Sequence, residues 1–177
     1  SNYDFVGAMH EVLFDEAGFT GDSKDYFDPN NSHLNEVIDH LKGNPVALSI
    51  LYIEVARVAG MAVDGISLRK HFVVAIGTGE DRIVVDPFHN GGLLSRKECI
   101  TNILGKDRIK NGDFDDLERK FLNPAPKRAM LRRLLSNLKV AHEKHKNYEL
   151  ALSASERIQL LDPSNLRNLR ELAPLQT

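Results

Sequence analysis

The chain has 177 residues, of which 42% are hydrophobic and 27% charged, with a formal net charge of −2. This length allows one domain with a small appendage, and the near-neutral charge gives no electrostatic reason to expect binding to nucleic acid or to a membrane. No apolar run in the sequence is long enough to span a bilayer. Cys99 is alone, so no internal disulfide can form and we expect a cytoplasmic protein. The chain opens inside a helical pattern, and we expect it to be a fragment.

The first third of the chain alternates between helix and loop signals. Helical spacing of apolar residues predicts a helix over residues 3–16, followed by a loop over residues 18–32. Tyr26 and Phe27 are predicted to anchor this loop on the core, with a binding surface as the alternative. A second helix is predicted over residues 33–42, with an apolar stripe formed by Leu34, Val37, Ile38 and Leu41.

The sequence of residues 43–60 predicts a helix at the centre of the fold. Asn44 is a good N-cap, Pro45 fits the first helical position, and Gly60 is placed where helices end in a left-handed turn. Between these caps the strongly polar residues are few, so this helix should be buried over most of its circumference. The strongly polar residues between the caps are Ser49, Glu54 and Arg57.

Three short runs rich in Val and Ile follow, and they predict strands over residues 62–68, 71–76 and 82–86. His71 opens the second of these strands and Asp86 closes the third. The expected fold class is α+β, with the central helix packed on a small antiparallel sheet. A glycine-rich turn is predicted over residues 87–94. Paired glycines can cradle an anion, but this stretch lacks the spacing of a phosphate-binding motif, so phosphate binding is not favoured.

The remainder of the chain is predicted to be helical. Short helices are expected over residues 95–104 and 114–121, and the proline-rich stretch 123–126 marks a boundary. We therefore predict two domains, residues 1–123 and 124–177. The second should contain helices over residues 127–146 and 149–161, with a further one over 165–172.

Several polar groups invite a functional interpretation that we do not favour. Cys99 is predicted to be a small buried residue. His142 and His145 could bind a metal with Glu143 and Glu149, but no motif supplies a third ligand, so a solvated helix face is preferred. We expect no metal and no cofactor. A basic stripe could dock an acidic partner, although a solvated face is slightly favoured. It comprises Lys127, Arg128, Arg132, Arg133 and Lys139.

A family resemblance emerges from four motifs taken together. They are Tyr-Phe-Asp-Pro-Asn-Asn-Ser from residue 26, Gly-Asn-Pro-Val-Ala-Leu-Ser from residue 43, His-Phe-Val from residue 71 and Asp-Pro-Phe from residue 86. Together they resemble the SirB-type branch of the transglutaminase-like (papain-like) superfamily. That branch joins such a core to C-terminal tetratricopeptide repeats and is described as regulatory in bacteria, so the C-terminal hairpin is predicted to be of tetratricopeptide type.

The resemblance also implies a catalytic triad that has lost one member. It aligns Gly43 and Gly60 with the glycines that bound the family's helix, which puts Pro45 at the position of the nucleophilic cysteine. His71 and Asp86 take the other two triad positions. The segment 68–70, Leu-Arg-Lys, departs from the Pro-Gly common in this branch, and a long cation there could block or charge the cleft.

Two functional hypotheses follow. The preferred one is a non-catalytic regulatory or adaptor protein that binds another protein through its C-terminal helices, with His71 and Asp86 kept as a structural pair. The alternative is a hydrolase or acyl-transferase that uses this pair with Ser49 as a substitute nucleophile. Under the first hypothesis, the Ser49 hydroxyl is expected to bond back to the carbonyl of Pro45. Enzymatic activity is left open, with a non-enzyme preferred.

Overall fold

The computed structural model describes residues 1–105 and 114–172. Helices are present at both ends, and a small sheet lies between them. The helices are α1 (Asn2–His10), α2 (Leu34–His40), α3 (Pro45–Val58), α4 (Arg96–Leu104), α5 (Phe114–Phe121), α6 (Lys127–Lys144), α7 (Tyr148–Leu161) and α8 (Leu166–Leu172). The strands are β1 (Thr20–Gly21), β2 (Lys42–Gly43), β3 (Val63–Leu68), β4 (His71–Ile76), β5 (Ile83–Asp86) and β6 (Gly92–Leu94).

Helix α3 forms as its sequence predicts. The Asn44 side-chain oxygen accepts hydrogen bonds from the amides of Val46 and Ala47, each at 3.0 Å, which satisfies two of the amides that a helix start leaves unpaired. Pro45 occupies the first helical position, and Gly60 follows the helix end with a φ of +78°. The predicted central helix is therefore confirmed, including both of its ends.

The main sheet has the order β3–β4–β5–β6, and all neighbouring strands are antiparallel. The three predicted strands are confirmed. β6 is an addition, because the sequence predicted only a turn over residues 87–94. Asn90 and Gly91 adopt left-handed conformations that reverse the chain, and Gly92 then pairs with Asp86. Glycine has low strand propensity, which hides this strand in the sequence.

Apolar residues cover both faces of the sheet, so the domain has three layers. Helix α3 packs on one face and α4 with α5 on the other, which explains why the consecutive β4 residues 72–76 are all buried. The α3 face includes Ala47, Leu48, Tyr52, Val74, Ile76 and Val85. The opposite face includes Ile66, Val73, Ala75, Val84, Cys99, Ile100 and Leu122.

The C-terminal helices form a hairpin that contacts the core. Arg132, near the start of α6, bonds to Asp162 just after α7 at 2.6 Å, so the two helices run antiparallel. Met130 of α6 packs with Val46 and Phe72. The linker also joins the sheet, since the amide of Ala125 donates to the carbonyl of Gly65 at 2.7 Å.

Some predicted surfaces differ from the observed ones. In α2 only Val37 is fully buried, whereas Ile38 is 52% exposed, because this short helix presents one narrow edge to the core.

The basic stripe on α6 is not a continuous solvated face. Arg128 donates to the carbonyl of Leu161, Arg132 pairs with Asp162, and Lys139 is only 5% exposed. Across the described ranges, no helix has both the length and the apolarity needed to cross a membrane.

Candidate functional site

Two strand ends bring His71 and Asp86 together. His71 is the first residue of β4 and Asp86 is the last residue of β5, and these strands are antiparallel neighbours. Nε2 of His71 lies 2.6 Å from Oδ2 of Asp86. The aspartate is 3% exposed, so it lies at the floor of the site and depends on protein groups for its hydrogen bonds.

The Asp86 carboxylate accepts four hydrogen bonds from residues in the described part of the chain. Oδ1 accepts from the backbone amides of Phe88 and His89, at 3.1 and 3.3 Å. Asp86 is therefore the N-cap of the short 3₁₀ helix Pro87–His89. Oδ2 accepts from His71 and, at 2.7 Å, from Nδ1 of His89. One oxygen fixes the backbone, and the other joins two imidazole rings.

His89 is the site residue that the sequence analysis missed, since it was grouped with scattered histidines. It lies three residues after Asp86, and its side chain is 68% exposed. An aspartate followed by proline is a strong start signal for a helical turn. The third residue of such a turn can reach back to its cap, as in a capping box. The Asp-Pro-x-His spacing was therefore the available signal.

The environment of Asp86 favours its ionised form. Burial acts to raise the pKa of this carboxyl, but hydrogen bonds and positive charge from His71 and His89 outweigh the burial, so the pKa lies below its ordinary value. With the carboxylate ionised, the two ring nitrogens that face it must carry protons. Nδ1 of His71 and Nε2 of His89 are then the ring atoms directed elsewhere.

Aromatic rings border this polar cluster. The Phe88 ring meets His71 edge-on at a centroid distance of 6.0 Å and His89 at 5.1 Å. Tyr26 in turn contacts Phe88 at 5.9 Å, so the predicted loop anchor packs beside the site. Tyr26 and Phe27 remain partly exposed, at 38% and 39%.

The other predicted site residues, Pro45 and Ser49, both lie on α3. Pro45 is buried at the start of α3, and its side chain carries no nucleophilic atom. Ser49 is fully buried, and its hydroxyl donates to the carbonyl of Phe72 at 3.5 Å. The bond that the first hypothesis expected, back to the carbonyl of Pro45, is thus replaced by a bond to the neighbouring strand.

The cationic turn before His71 lies on the surface. Arg69 and Lys70 are both exposed and form the two-residue connection between β3 and β4. Lys70 has a φ of 59°, in the left-handed region that glycine occupies without strain. That is where the resembling branch commonly carries Pro-Gly, so the backbone shape of this turn suits a glycine that this sequence lacks.

The remaining candidates are Cys99, His142 and His145. Cys99 is fully buried, and burial raises the pKa of its thiol to about 11. His142 is 7% exposed and His145 is exposed at the end of α6. Among the described residues, the three-ligand cluster that could hold a metal consists instead of His71, Asp86 and His89.

The arrangement of α3, the strand that His71 opens and the strand that Asp86 closes defines a transglutaminase-like core. The profile of the Transglutaminase-like superfamily matches residues 1–136, so the chain belongs to this superfamily. The fold class expected from the sequence is confirmed at that level.

Comparison with individual proteins points to one group of bacterial relatives. A UPF0162 protein of Xylella fastidiosa strain 9a5c is 34% identical over 178 residues, which cover 97% of this chain and 61% of the relative. A UPF0162 protein of Vibrio cholerae is 27% identical, with 93% and 59% covered. Human F-box only protein 21 is 31% identical over 102 residues, which cover 53% of this chain and 16% of that protein. The chain thus spans about three fifths of the length of its bacterial relatives. No solved structure matches it.

Proposed function

We propose that this chain is part of a non-catalytic regulatory or adaptor protein. In this proposal a degenerate transglutaminase-like core supports C-terminal helices that bind another protein, as in the SirB-type branch that the sequence resembles. The observation that carries the proposal is the buried Pro45 at the position where the family has its nucleophilic cysteine. Covalent catalysis needs an activated nucleophile beside its base, and Pro45 offers none.

Ser49 is a poor replacement for the missing cysteine. A nucleophile must reach both its base and the substrate, whereas this hydroxyl is completely buried and directed at the carbonyl of Phe72. The alternative function, a hydrolase or acyl-transferase, is favoured by one observation, which is the short His71–Asp86 hydrogen bond. That bond also suits a purely structural pair, because it satisfies a carboxylate that is buried in the fold.

The C-terminal helices supply the binding surface in this proposal. Large apolar side chains are exposed along them, and such side chains are typical of contact surfaces when they lie near one another. Tyr148 and Leu150 lie in the first turn of α7 and are 56% and 54% exposed. The further exposed residues on these helices are Leu131, Val140, Leu160, Leu166 and Leu169.

Contacts between consecutive helices support the tetratricopeptide interpretation of this segment. α7 and α8 are joined through Asn168, whose side-chain amide donates to the carbonyl of Ser155 at 2.9 Å and to the side chain of Gln159 at 3.0 Å. Ser155 returns a bond to Asn168 at 2.8 Å. Each helix thus contacts the one before it, which is how helical repeats stack to form an extended binding surface.

The catalytic half of the proposal is tested with the wild type and the Pro45→Cys variant. We expect neither protein to incorporate amines into a glutamine peptide or to hydrolyse peptides. The wild type has no nucleophile, and a thiol alone is not enough, because covalent catalysis also needs oxyanion donors and an open cleft around it. Turnover by the wild type that is lost in Ser49→Ala would support the enzyme instead. Robust turnover by Pro45→Cys alone would show that only the nucleophile is missing.

The binding half is tested by affinity capture with the full-length parent protein. Leu150→Glu places a charge on the proposed surface, and Val58→Glu places one at an 81% exposed position on α3. We expect a partner captured by the wild type to be retained by Val58→Glu and lost by Leu150→Glu. A partner held equally by all three proteins, or the absence of any specific partner, would contradict binding through these helices.

A further inference from the structure

Three ligand atoms converge where β4 and β5 end. Nε2 of His71, Oδ2 of Asp86 and Nδ1 of His89 all lie within 4.8 Å of one another. The three side chains come from the start of β4, the end of β5 and the turn that the aspartate caps. Two imidazoles and one carboxylate are a ligand set that first-row divalent metals accept.

We propose that His71, Asp86 and His89 form a binding site for a divalent transition metal, with zinc as the cation that suits it best. Imidazole nitrogen and carboxylate oxygen both bind zinc at short range, and three protein ligands leave a position for water or a small ligand. The site is independent of the proposed function, because a metal can stabilise the two strand ends in a protein without a nucleophile.

The observed distances are those of hydrogen bonds, so metal binding requires a small rearrangement. Two ligand atoms of a tetrahedral zinc site are separated by about 3.4 Å when each lies about 2.1 Å from the metal. His71 and His89 lie 2.6 and 2.7 Å from the shared oxygen. The required opening is below about 1 Å. The His89 side chain can make this movement most easily, because it is 68% exposed.

Metal binding also changes the protonation of the two imidazole rings. Each imidazole now presents an N–H to the carboxylate, and a metal ion takes the place of that proton. A neutral ring keeps its charge by carrying the proton on its other nitrogen, Nδ1 of His71 or Nε2 of His89. An imidazolium ring releases one proton to solvent. No oxidant or further reactant is involved.

The surroundings already hold the ligands in place. Oδ1 of Asp86 accepts two backbone amides, so the carboxylate keeps its orientation while Oδ2 binds the metal. Such outer contacts raise metal affinity by fixing the ligands in advance. The Phe88 ring stands edge-on to both imidazoles and so restricts their orientation.

The test is a titration of the tag-free, metal-free full chain with Zn²⁺ alone and with Co²⁺ alone. Calorimetry gives the stoichiometry and affinity for Zn²⁺, and visible absorption reports the coordination of Co²⁺ by nitrogen ligands. His89→Ala removes an exposed ligand and should leave the fold intact. His145→Ala is the matched control, since it removes an exposed histidine outside the cluster.

We expect one Zn²⁺ per chain, bound at least about tenfold more weakly by His89→Ala and equally well by His145→Ala. His71→Gln should also weaken binding, and its circular dichroism spectrum shows whether it is folded. The proposal is overturned if the wild type does not saturate, or if His89→Ala binds as tightly as the wild type. Loss of binding in His145→Ala would place the metal on α6 and would equally overturn it.

Discussion

Gly21 of β1 lies directly against Phe88, the residue two positions after Asp86. A β-carbon on Gly21 would lie 2.5 Å from Cδ2 of the Phe88 ring, which is far inside a normal van der Waals contact. The backbone amide of Phe88 donates to Asp86, and its ring contacts His71 and Tyr26. A short strand early in the chain therefore fixes the turn that completes the site.

Gly21→Ala should destabilise the protein by about 1–3 kcal/mol, because the added methyl group forces Phe88 out of its position. The denaturant midpoint measures this loss. Gly7→Ala is the matched control, since a β-carbon there meets no atom within 4 Å. In the middle of α1 the control should be neutral or stabilising by up to about 1 kcal/mol. Equal midpoints for the two variants would contradict the close packing.

His71→Ala should lower the stability of the metal-free protein by about 1–3 kcal/mol, since it removes the shortest hydrogen bond of a buried carboxylate. His89→Ala removes a mostly exposed partner of the same carboxylate, so its cost should stay below about 1 kcal/mol. Denaturant midpoints in the presence of a chelator compare the two variants directly. An unchanged or raised midpoint for His71→Ala would show that the pair is not structural and would favour the catalytic hypothesis.

The central helix and the His71–Asp86 pair could be predicted because their signals are local. Asn44, Pro45 and Gly60 mark the helix ends within a single stretch of sequence. Strands joined by short connections are expected to pair as neighbours, which predicts that the ends carrying His71 and Asp86 meet.

Contacts between distant segments could not be predicted in the same way. The parallel pair of β1 and β2 involves only two residues from each strand, too few for any periodic signal. Met130 reaches the core across the proline-rich linker, and neither helix propensity nor spacing specifies that contact. His89 was missed because its role depends on the turn that Asp86 caps, and a turn residue in isolation shows no pattern.

His142 should make stability depend on pH. Burial, followed by the nearby His33 and His145, lowers the pKa of His142 below its ordinary 6.5. Its Nδ1 has no hydrogen-bond partner among the residues that the structure describes. Between pH 6.5 and the lowered pKa of His142, the unfolded state therefore binds more protons than the folded state. The free energy of unfolding falls as the pH falls through this range. Above pH 6.5 the contribution of neutral His142 to stability is fully present.

The pH profile is measured as the denaturant midpoint between about pH 7 and pH 5, the range in which histidines titrate. His142→Leu should flatten this profile, because the group with the lowered pKa is gone and no hydrogen bond to Nδ1 is lost. His145→Ala removes an exposed histidine that directly follows the same helix, and this variant should keep most of the slope. Parallel profiles for wild type and His142→Leu would show that another group causes the acid sensitivity.

Lys70 should be replaceable by glycine with a gain in stability. Its φ of 59° places a non-glycine residue in a left-handed conformation that costs about 1–2 kcal/mol. Glycine avoids this strain but adds freedom to the unfolded chain, at a cost of about 0.5–1 kcal/mol, so Lys70→Gly should gain about 0.5–1 kcal/mol overall.

Arg69→Gly is the control in the same exposed turn. Arg69 is not among the positive-φ residues of the described chain, so this variant gains only the unfolded-state freedom and should lose stability. Thermal and denaturant midpoints should move in opposite directions for the two variants, and a loss of stability in both would show that the turn is not strained at Lys70.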